Sequence, residues 1–294
     1  MVKKIKFSKI AISSTSNDKR VGLIASQIYE ILHNKECKIF HDDTLNRLNK
    51  SLNSEYRNMK YILNNCELII AIGGDGTILN CSRKYGSQGL PILGINLGKL
   101  GFLSDIAPKD LTNDLLEVIK GNFIKDSRFF LSTKINKKTE FLALNEVVIH
   151  SGAIAQMIEF DLYINDDFVY RQKADGLIIS SPTGSTAYSL SGNGPIISPE
   201  VRAIILLPMF PHSLNSRTLI VDEDTEIKIT SRSKSKAYLS FDSHEKLNLS
   251  NQKDVYIQKA KSELTLIHPK DHNFYSSCRN KLGWSLGVPG FNEE

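Results

Sequence analysis

The stretch Leu68-Ile-Ile-Ala-Ile-Gly-Gly-Asp-Gly-Thr-Ile-Leu-Asn80 decides the fold of this chain. Leu68 to Ile72 is an unbroken apolar run, rich in β-branched side chains and closed by glycine, which reads as a buried strand of a parallel sheet. Gly73-Gly74-Asp75-Gly76-Thr77 follows, and then residues able to start a helix. A strand tip, a glycine-rich turn and a helix N-terminus together make a phosphate site. Gly73, Gly74 and Gly76 let the backbone approach an anion, and the amides up to Thr77 point towards it. Asp75 does not belong in a pure phosphate cradle, because a carboxylate repels phosphate. It suits a task beside the phosphate, either accepting a hydroxyl proton or holding a divalent ion. The plainer alternative is a tight turn in which Asp75 caps the helix.

Upstream of this stretch, Ile5 to Ile12 reads as a strand. Val21, Ile24, Ile28, Ile31 and Leu32 then recur at helical spacing, and Lys38 to Phe40 reads as a second strand. Asp42 to Asn65 is polar and reads as loop and helix. Downstream, Pro91 to Asn96 is a further short strand, followed by Leu97-Gly98-Lys99-Leu100-Gly101-Phe102-Leu103. Strands alternating with helices predict an open, mostly parallel α/β sheet, with ligands collecting at the carboxyl ends of its strands. Pro108 to Gly121 reads as a linking helix. Beyond it come many short β-like runs, from Phe129 to Ile135 through to Leu264 to Ile267, which predict a strand-rich, sandwich-like second domain. The expected division is therefore an α/β domain over 1–107 and a β-rich domain over 108–270, with the tail 271–294 packing back on one of them.

The chain has 294 residues, 41% hydrophobic and 23% charged, with a net charge of +5. That is the composition of a globular protein long enough for one large or two ordinary domains. The lysines are scattered, with no basic block interleaved with aromatics. Anionic small molecules are thus expected as ligands in preference to nucleic acid. Cys37, Cys66, Cys81 and Cys278 are the four cysteines; they lie far apart, which suggests neither a disulfide framework nor zinc and points to a reducing, cytoplasmic setting. No signal peptide or membrane-spanning stretch is recognisable. None of the seven histidines stands at a metal-ligand or triad spacing from Cys or Asp, so no metal-ligating residue is assigned.

Three features of the second half carry chemistry. Asn145-Glu146 interrupts the apolar run Leu142 to Ile149, where polar side chains need partners, either neighbouring backbone or the hydroxyls of a ribose. Asp175, before the strand Leu177 to Ser180, fits a turn or the recognition of an amide on a ligand. Ser180-Ser-Pro-Thr-Gly-Ser-Thr-Ala-Tyr-Ser-Leu-Ser191, with Gly192-Asn193-Gly194 after it, offers hydroxyls and one flat aromatic, Tyr188, to a nucleotide. A polar loop capping a helix would use similar residues.

Taken in order, these motifs resemble the bacterial NAD kinases. The resemblance extends to Asn96-Leu-Gly-Lys-Leu-Gly-Phe-Leu103, to Pro208-Met-Phe-Pro-His212 with Arg217 beyond it, and to Lys281-Leu-Gly-Trp284. It covers nearly the whole chain, whereas Gly73 to Thr77 alone is shared with lipid kinases and phosphofructokinases. The resemblance implies transfer of the terminal phosphoryl of ATP to the adenosine ribose 2′-hydroxyl of NAD, giving NADP, in a two-domain fold whose tail returns to the first domain. It implies Asp75 as the proton acceptor with Gly76 beside it, Asn145 and Glu146 on ribose hydroxyls, and Asp175 at the nicotinamide end. Thr186, Ala187, Tyr188, Ser189, Leu190 and Ser191 would line the nucleotide. It further implies Mg²⁺ or another divalent cation with ATP, and a homodimer or homotetramer. Lys173 stands where near relatives carry Arg, Asp242-Ser243-His244 replaces a more usual Asp-Gly-Gln, Gln156 falls at a variable ligand-facing position, and Asn193 separates a pair of glycines. These departures bear on NAD against NADH preference, because an ammonium cannot reproduce a guanidinium fork. Two other readings of the same residues are a lipid or sugar kinase and a non-catalytic NAD(P)-binding regulator.

Overall fold

In the computed structural model, the run Leu68–Ile72 is a strand with all five residues buried, as an apolar run in the middle of a parallel sheet must be. The structure describes residues 5–49, 52–98, 101–104, 106–136, 140–152, 156–232, 237–249 and 254–284. Two units are formed, Met1–Ser127 with Leu264–Glu294, and Arg128–Glu263.

The first unit alternates β1 (Lys9–Ser13), α1 (Arg20–His33), β2 (Lys38–His41), α2 (Asp43–Leu48), β3 (Glu55–Tyr56), α3 (Met59–Asn65), β4 (Leu68–Ile72), α4 (Asp75–Lys84), β5 (Ile92–Ile95) and α5 (Leu111–Ile119). Its strands run parallel in the order β3-β2-β1-β4-β5, and Leu266 and Ile267 of a later strand lie parallel beside Ile92 and Leu93. The apolar stripe of α1 (Val21, Ile24, Ala25, Ile28, Leu32) shares one core with Ile10, Ile12, Ile70 and Ile72 from the sheet. Leu111, Leu115, Val118 and Ile119 of α5 enter that same core. The observed division therefore falls at Ser127/Arg128 and Glu263/Leu264, later than residue 107 and earlier than residue 270. The far end of α4 is fastened by Asp42, a fully buried carboxylate whose Oδ2 accepts from Ser13 Oγ at 2.8 Å, Tyr85 OH at 2.8 Å and Lys84 Nζ at 2.9 Å.

The second unit is built from most of β6 (Ile124–Ile135), β7 (Glu140–Ala143), β8 (Glu146–His150), β9 (Ile158–Ile164), β10 (Asp167–Ala174), β11 (Gly176–Ser180), the short helix α6 (Tyr188–Ser191), β12 (Ala203–Met209), β13 (Leu219–Asp222), β14 (Ile227–Ser231), β15 (Ala237–Phe241), β16 (Glu245–Leu249) and most of β17 (Asp254–His268). One antiparallel sheet runs β13-β12-β11-β8-β15-β16, and in a second layer β10, β9, β14 and β17 pair in that order. Alternation along β11 shows how the layers meet: Leu177 and Ile179 join the core shared with Phe160 and Leu162 of β9, while Ile178 faces the other way onto Val148, Ile205 and Leu207. The first unit also contains α7 (Phe274–Leu282), whose N-cap Asn273 accepts from Ser276 N–H at 3.0 Å.

Several elements differ from the sequence reading. Leu142 to His150 is two strands, broken at Leu144 and Asn145. The runs beginning at Val255 and Leu264, which read as separate strands, belong to one continuous strand, β17. β10 and β16 carry mostly exposed side chains and do not figure among the strands expected from the sequence.

Candidate active site

The first constellation lies at the tip of β4. Gly73 has φ +154°, and a Cβ built on it would stand 2.2 Å from Thr77 Oγ1, so the fold itself requires glycine there. At Gly74 and Gly76 an added Cβ meets no heavy atom within 4 Å; their lack of a side chain answers to nothing described in this chain. Gly74 is the N-cap of α4, with no side-chain cap bond, and Asp75 is the first helical residue. Asp75 therefore does not cap its own helix. Its carboxylate is held instead by the N–H groups of Phe102 at 3.1 Å and Leu103 at 3.2 Å, and by Lys281 Nζ at 3.0 Å. Gly101 permits this approach, since a Cβ there would lie 2.1 Å from Asp75 Oδ1 and 2.5 Å from Ser104 Oγ. Thr77 Oγ1 is 3.0 Å from Thr15 Oγ1, which ties the turn to the loop after β1. The Thr77 N–H donates to Gly74 O at 2.9 Å; the amides of Asp75 and Gly76, at the very start of α4, are those that a helix leaves without an intrahelical acceptor, and the helix dipole favours an anion beside them.

Lys281 belongs to the tail motif quoted above, but sequence reading gave it no role. It comes from α7, 206 positions away, and its ammonium also sits 4.4 Å from the Phe102 ring centroid.

The second constellation, wholly within the second unit, surrounds the break between β7 and β8. Asp242 accepts from the N–H groups of Leu144 at 3.0 Å, Asn145 at 2.8 Å and Glu146 at 3.3 Å, and so forces the break that the apolar run conceals. Asp242 and Ser243 take left-handed φ values of +45° and +58° to make this turn. Asn145 and Glu146 are both buried, and Asn145 Oδ1 and Glu146 Oε2 have no hydrogen-bond partner among the described residues. Burial first, and then the Asp242 charge, push the Glu146 carboxyl up to about 8, against a smaller pull from the Tyr188 N–H. At neutral pH this group is mostly protonated, and it can donate as well as accept a hydrogen bond.

The hydroxyl-rich loop folds as a turn of 3₁₀ helix, Thr183–Thr186, leading into α6. Much of its hydrogen bonding turns inward: Ser181 Oγ donates to Leu144 O at 2.6 Å, Ser185 Oγ to Pro182 O at 2.6 Å, and Thr186 Oγ1 to Thr183 O at 3.2 Å. Gly184 packs so tightly that a Cβ would stand 2.3 Å from Asn145 O. Ser189 Oγ is buried without a partner among the described residues, whereas Tyr188 is exposed. Tyr188 and Asp175 line one cavity of about 590 Å³, together with His150, Phe210, Ser243 and Lys246. Burial, and then Lys246, hold the His150 imidazole below its usual range. Its Nδ1 accepts from Gly152 N–H at 3.1 Å, which leaves Nε2–H to donate to Ser240 Oγ at 2.8 Å.

Other expected residues lie apart from this cavity. Lys173 is exposed on β10 and lines a different groove, with Arg171, His212 and Arg217. His244 Nδ1 contacts Phe241 O at 2.6 Å, so in this turn Ser243 lines the cavity and His244 does not. Gln156 is exposed ahead of β9. Leu190 and Ser191 complete α6, with Ser191 exposed. The fold also assembles a histidine group that sequence spacing did not reveal: Asp126, His268 and His272 converge within the first unit.

Both units have counterparts among known proteins. The family model of the ATP-NAD kinase N-terminal domain matches residues 15–123, and that of the ATP-NAD kinase C-terminal domain matches residues 144–269. This chain belongs to the NAD kinase family. It is 41% identical over 284 residues to the NAD kinase of Saccharophagus degradans, covering 92% of this chain and 91% of that one. To the NAD kinase of Teredinibacter turnerae it is 46% identical over 226 residues, 75% of this chain and 77% of the relative. Among solved structures it is similar to yeast NADH kinase complexed with NADH, with a TM-score of 0.84 and 26% identity over 97% of this chain and 90% of that chain. An NAD kinase from Archaeoglobus fulgidus in complex with ATP shares the fold, with a TM-score of 0.73 at 23% identity over 92% and 99% of the two chains. Among the described residues no helix is long and apolar enough to cross a membrane.

Proposed function

We propose that this chain phosphorylates the adenosine ribose 2′-hydroxyl of NAD from ATP, giving NADP, with Asp75 accepting the hydroxyl proton. The observation that carries the reading is the placement of Asp75. Its carboxylate is turned away from capping its own helix and anchored by two backbone amides, at a turn whose Gly74 and Gly76 have no structural need to be glycine. Phosphoryl transfer asks mainly for positioning and charge neutralisation. A glycine turn at a helix start supplies the first, and Lys281 brings a cation to the same spot. The partners of Asp75 are amides and an ammonium, a setting for a proton acceptor more than for a cation cage. A divalent ion belongs on the ATP phosphates, where Mg²⁺ keeps most of its own water and neutralises charge.

In the second unit, the unmatched atoms Asn145 Oδ1 and Glu146 Oε2 suit ribose hydroxyls. Leaving each without a partner costs about 1–3 kcal/mol that a bound ligand would offset. Asp175 and Tyr188 fit the amide and ring of the nicotinamide end. Thr186, Ala187, Ser189, Leu190 and Ser191 serve chiefly to shape that wall. Lys173, facing a separate groove, bears on dinucleotide preference only at longer range.

The test is NADP formation from NAD with ATP and Mg²⁺, in the wild type and in Asp75→Asn. The substitution is expected to lower kcat by about 10²–10⁴-fold while NAD binding stays within a few-fold. Near-wild-type turnover in Asp75→Asn would remove the proton-acceptor role, and NAD binding without turnover in the wild type would favour a regulator.

A further inference from the structure

Asp126 of β6, His268 at the end of β17 and His272 in the turn before α7 each place a ligand atom within 4.8 Å of the other two. Well over a hundred positions of sequence separate Asp126 from the two histidines, so only the fold assembles them. Asp126 Oδ2 is 3.3 Å from His268 Nε2, and the His268 and His272 rings stack with centroids 3.9 Å apart. This is not a chance surface grouping, since the His268 side chain is 2% exposed and that of Asp126 19%. The turn carrying His272 is closed by its N–H donating to Pro269 O at 3.1 Å.

We propose that Asp126, His268 and His272 form a binding site for a divalent transition-metal ion of the zinc class. Two imidazoles and one carboxylate are the donor set that zinc accepts readily and that magnesium, which prefers oxygen and its own water, does not. Metal–ligand bonds of about 2.0–2.2 Å hold the donors of a tetrahedral ion roughly 3.3–3.5 Å apart. Asp126 Oδ2 and His268 Nε2, 3.3 Å apart, already stand at that spacing, and all three donors lie within 4.8 Å of one another; three protein ligands leave a fourth position for water. The ion would join β6, the end of β17 and the turn that leads into α7. It would thereby fix the root of the helix from which Lys281 reaches Asp75. It is a different ion from the one that travels with ATP.

The same atoms have a second account: an Asp126–His268 ion pair with the His272 ring stacked on it and no affinity for metal. Calorimetric titration of the chelator-treated full chain with Zn²⁺ alone separates the two, and the visible absorption of Co²⁺ reports ligand geometry. His272→Phe keeps a stacked ring and removes one donor, and Asp126→Asn removes the charge. The proposal expects one Zn²⁺ per chain and a tetrahedral Co²⁺ spectrum. It also expects His272→Phe and Asp126→Asn each to weaken binding by at least about tenfold, with the metal-free unfolding temperature of His272→Phe close to wild type. No uptake of Zn²⁺, or uptake that both variants leave unchanged, would overturn it.

Discussion

Glu146→Gln is expected to make the protein more stable in alkali and worse at its reaction. In the folded chain the Glu146 carboxyl is moved from its ordinary 4.5 to about 8, mainly by burial. Folding therefore favours the protonated form. The contribution of this group is fully present below pH 4.5 and is lost as pH rises through 8. The interval corresponds to about 5 kcal/mol at full ionisation, at 1.36 kcal/mol per tenfold. Glutamine, neutral at every pH, avoids that loss, and the Tyr188 hydrogen bond is already contained in the net shift. The gain well above pH 8 is therefore about 5 kcal/mol, or roughly 10–20 °C in Tm for a unit of this size. Thermal unfolding followed by circular dichroism at about pH 5 and about pH 9 measures it: the variant should gain stability mainly at the higher pH. In parallel, KM for NAD should rise more than KM for ATP. A Tm difference equal at both pH values would refute the argument, because it would show that ionisation of Glu146 is not what the substitution removes.

The two kinds of glycine at the first constellation should behave oppositely. Gly76→Ala has room in the protein and a helical backbone, so it is expected to keep or raise Tm by the equivalent of about 0.5–1 kcal/mol while kcat/KM falls. Gly101→Ala would place a methyl 2.1 Å from Asp75 Oδ1 and should lower kcat through displacement of that carboxylate; a silent Gly101→Ala would contradict the described packing. Ser243 holds φ +58°, and Ser243→Gly is expected to relieve about 1 kcal/mol of backbone strain, read as a higher urea midpoint, with no gain if the turn is already relaxed.

Much of the first unit was legible because parallel strands are buried on both faces and announce themselves as apolar runs, as Leu68–Ile72 does. The glycine turn was legible for the same local reason. What escaped notice depends on distant residues. The break at Leu144 and Asn145 is imposed by Asp242, nearly a hundred positions away. β17 is one strand although Gln258 to Glu263 interrupts its apolar runs: within that stretch only Ala260 is buried, while Lys261 and Glu263 are exposed. β10 offers only the short run Phe168-Val169-Tyr170 among polar residues, yet Asn165 and Asp166, both at positive φ, form the tight turn that pairs it with β9; that dipeptide was the available clue. The hydroxyl-rich loop left two readings open, a surface for a nucleotide and a polar loop capping a helix; Ser181, Ser185 and Thr186 are engaged with nearby backbone, a distinction composition cannot make. The Asp75–Lys281 contact and the Asp126–His268–His272 group were not legible for the simplest reason, since each is made by a late part of the chain meeting an earlier one.

That late meeting has a consequence for how the protein is born. At about 5–20 residues per second of synthesis, the 206 positions between Asp75 and Lys281 take roughly 10–40 s to translate. Throughout that interval the nascent chain carries its glycine turn and its aspartate without the lysine. The first unit is also waiting for the end of β17, which pairs with Ile92 and Leu93. Synthesis that stops before α7 thus leaves a polypeptide without the Asp75 ion pair, and the complete arrangement is reserved for chains extended past Lys281.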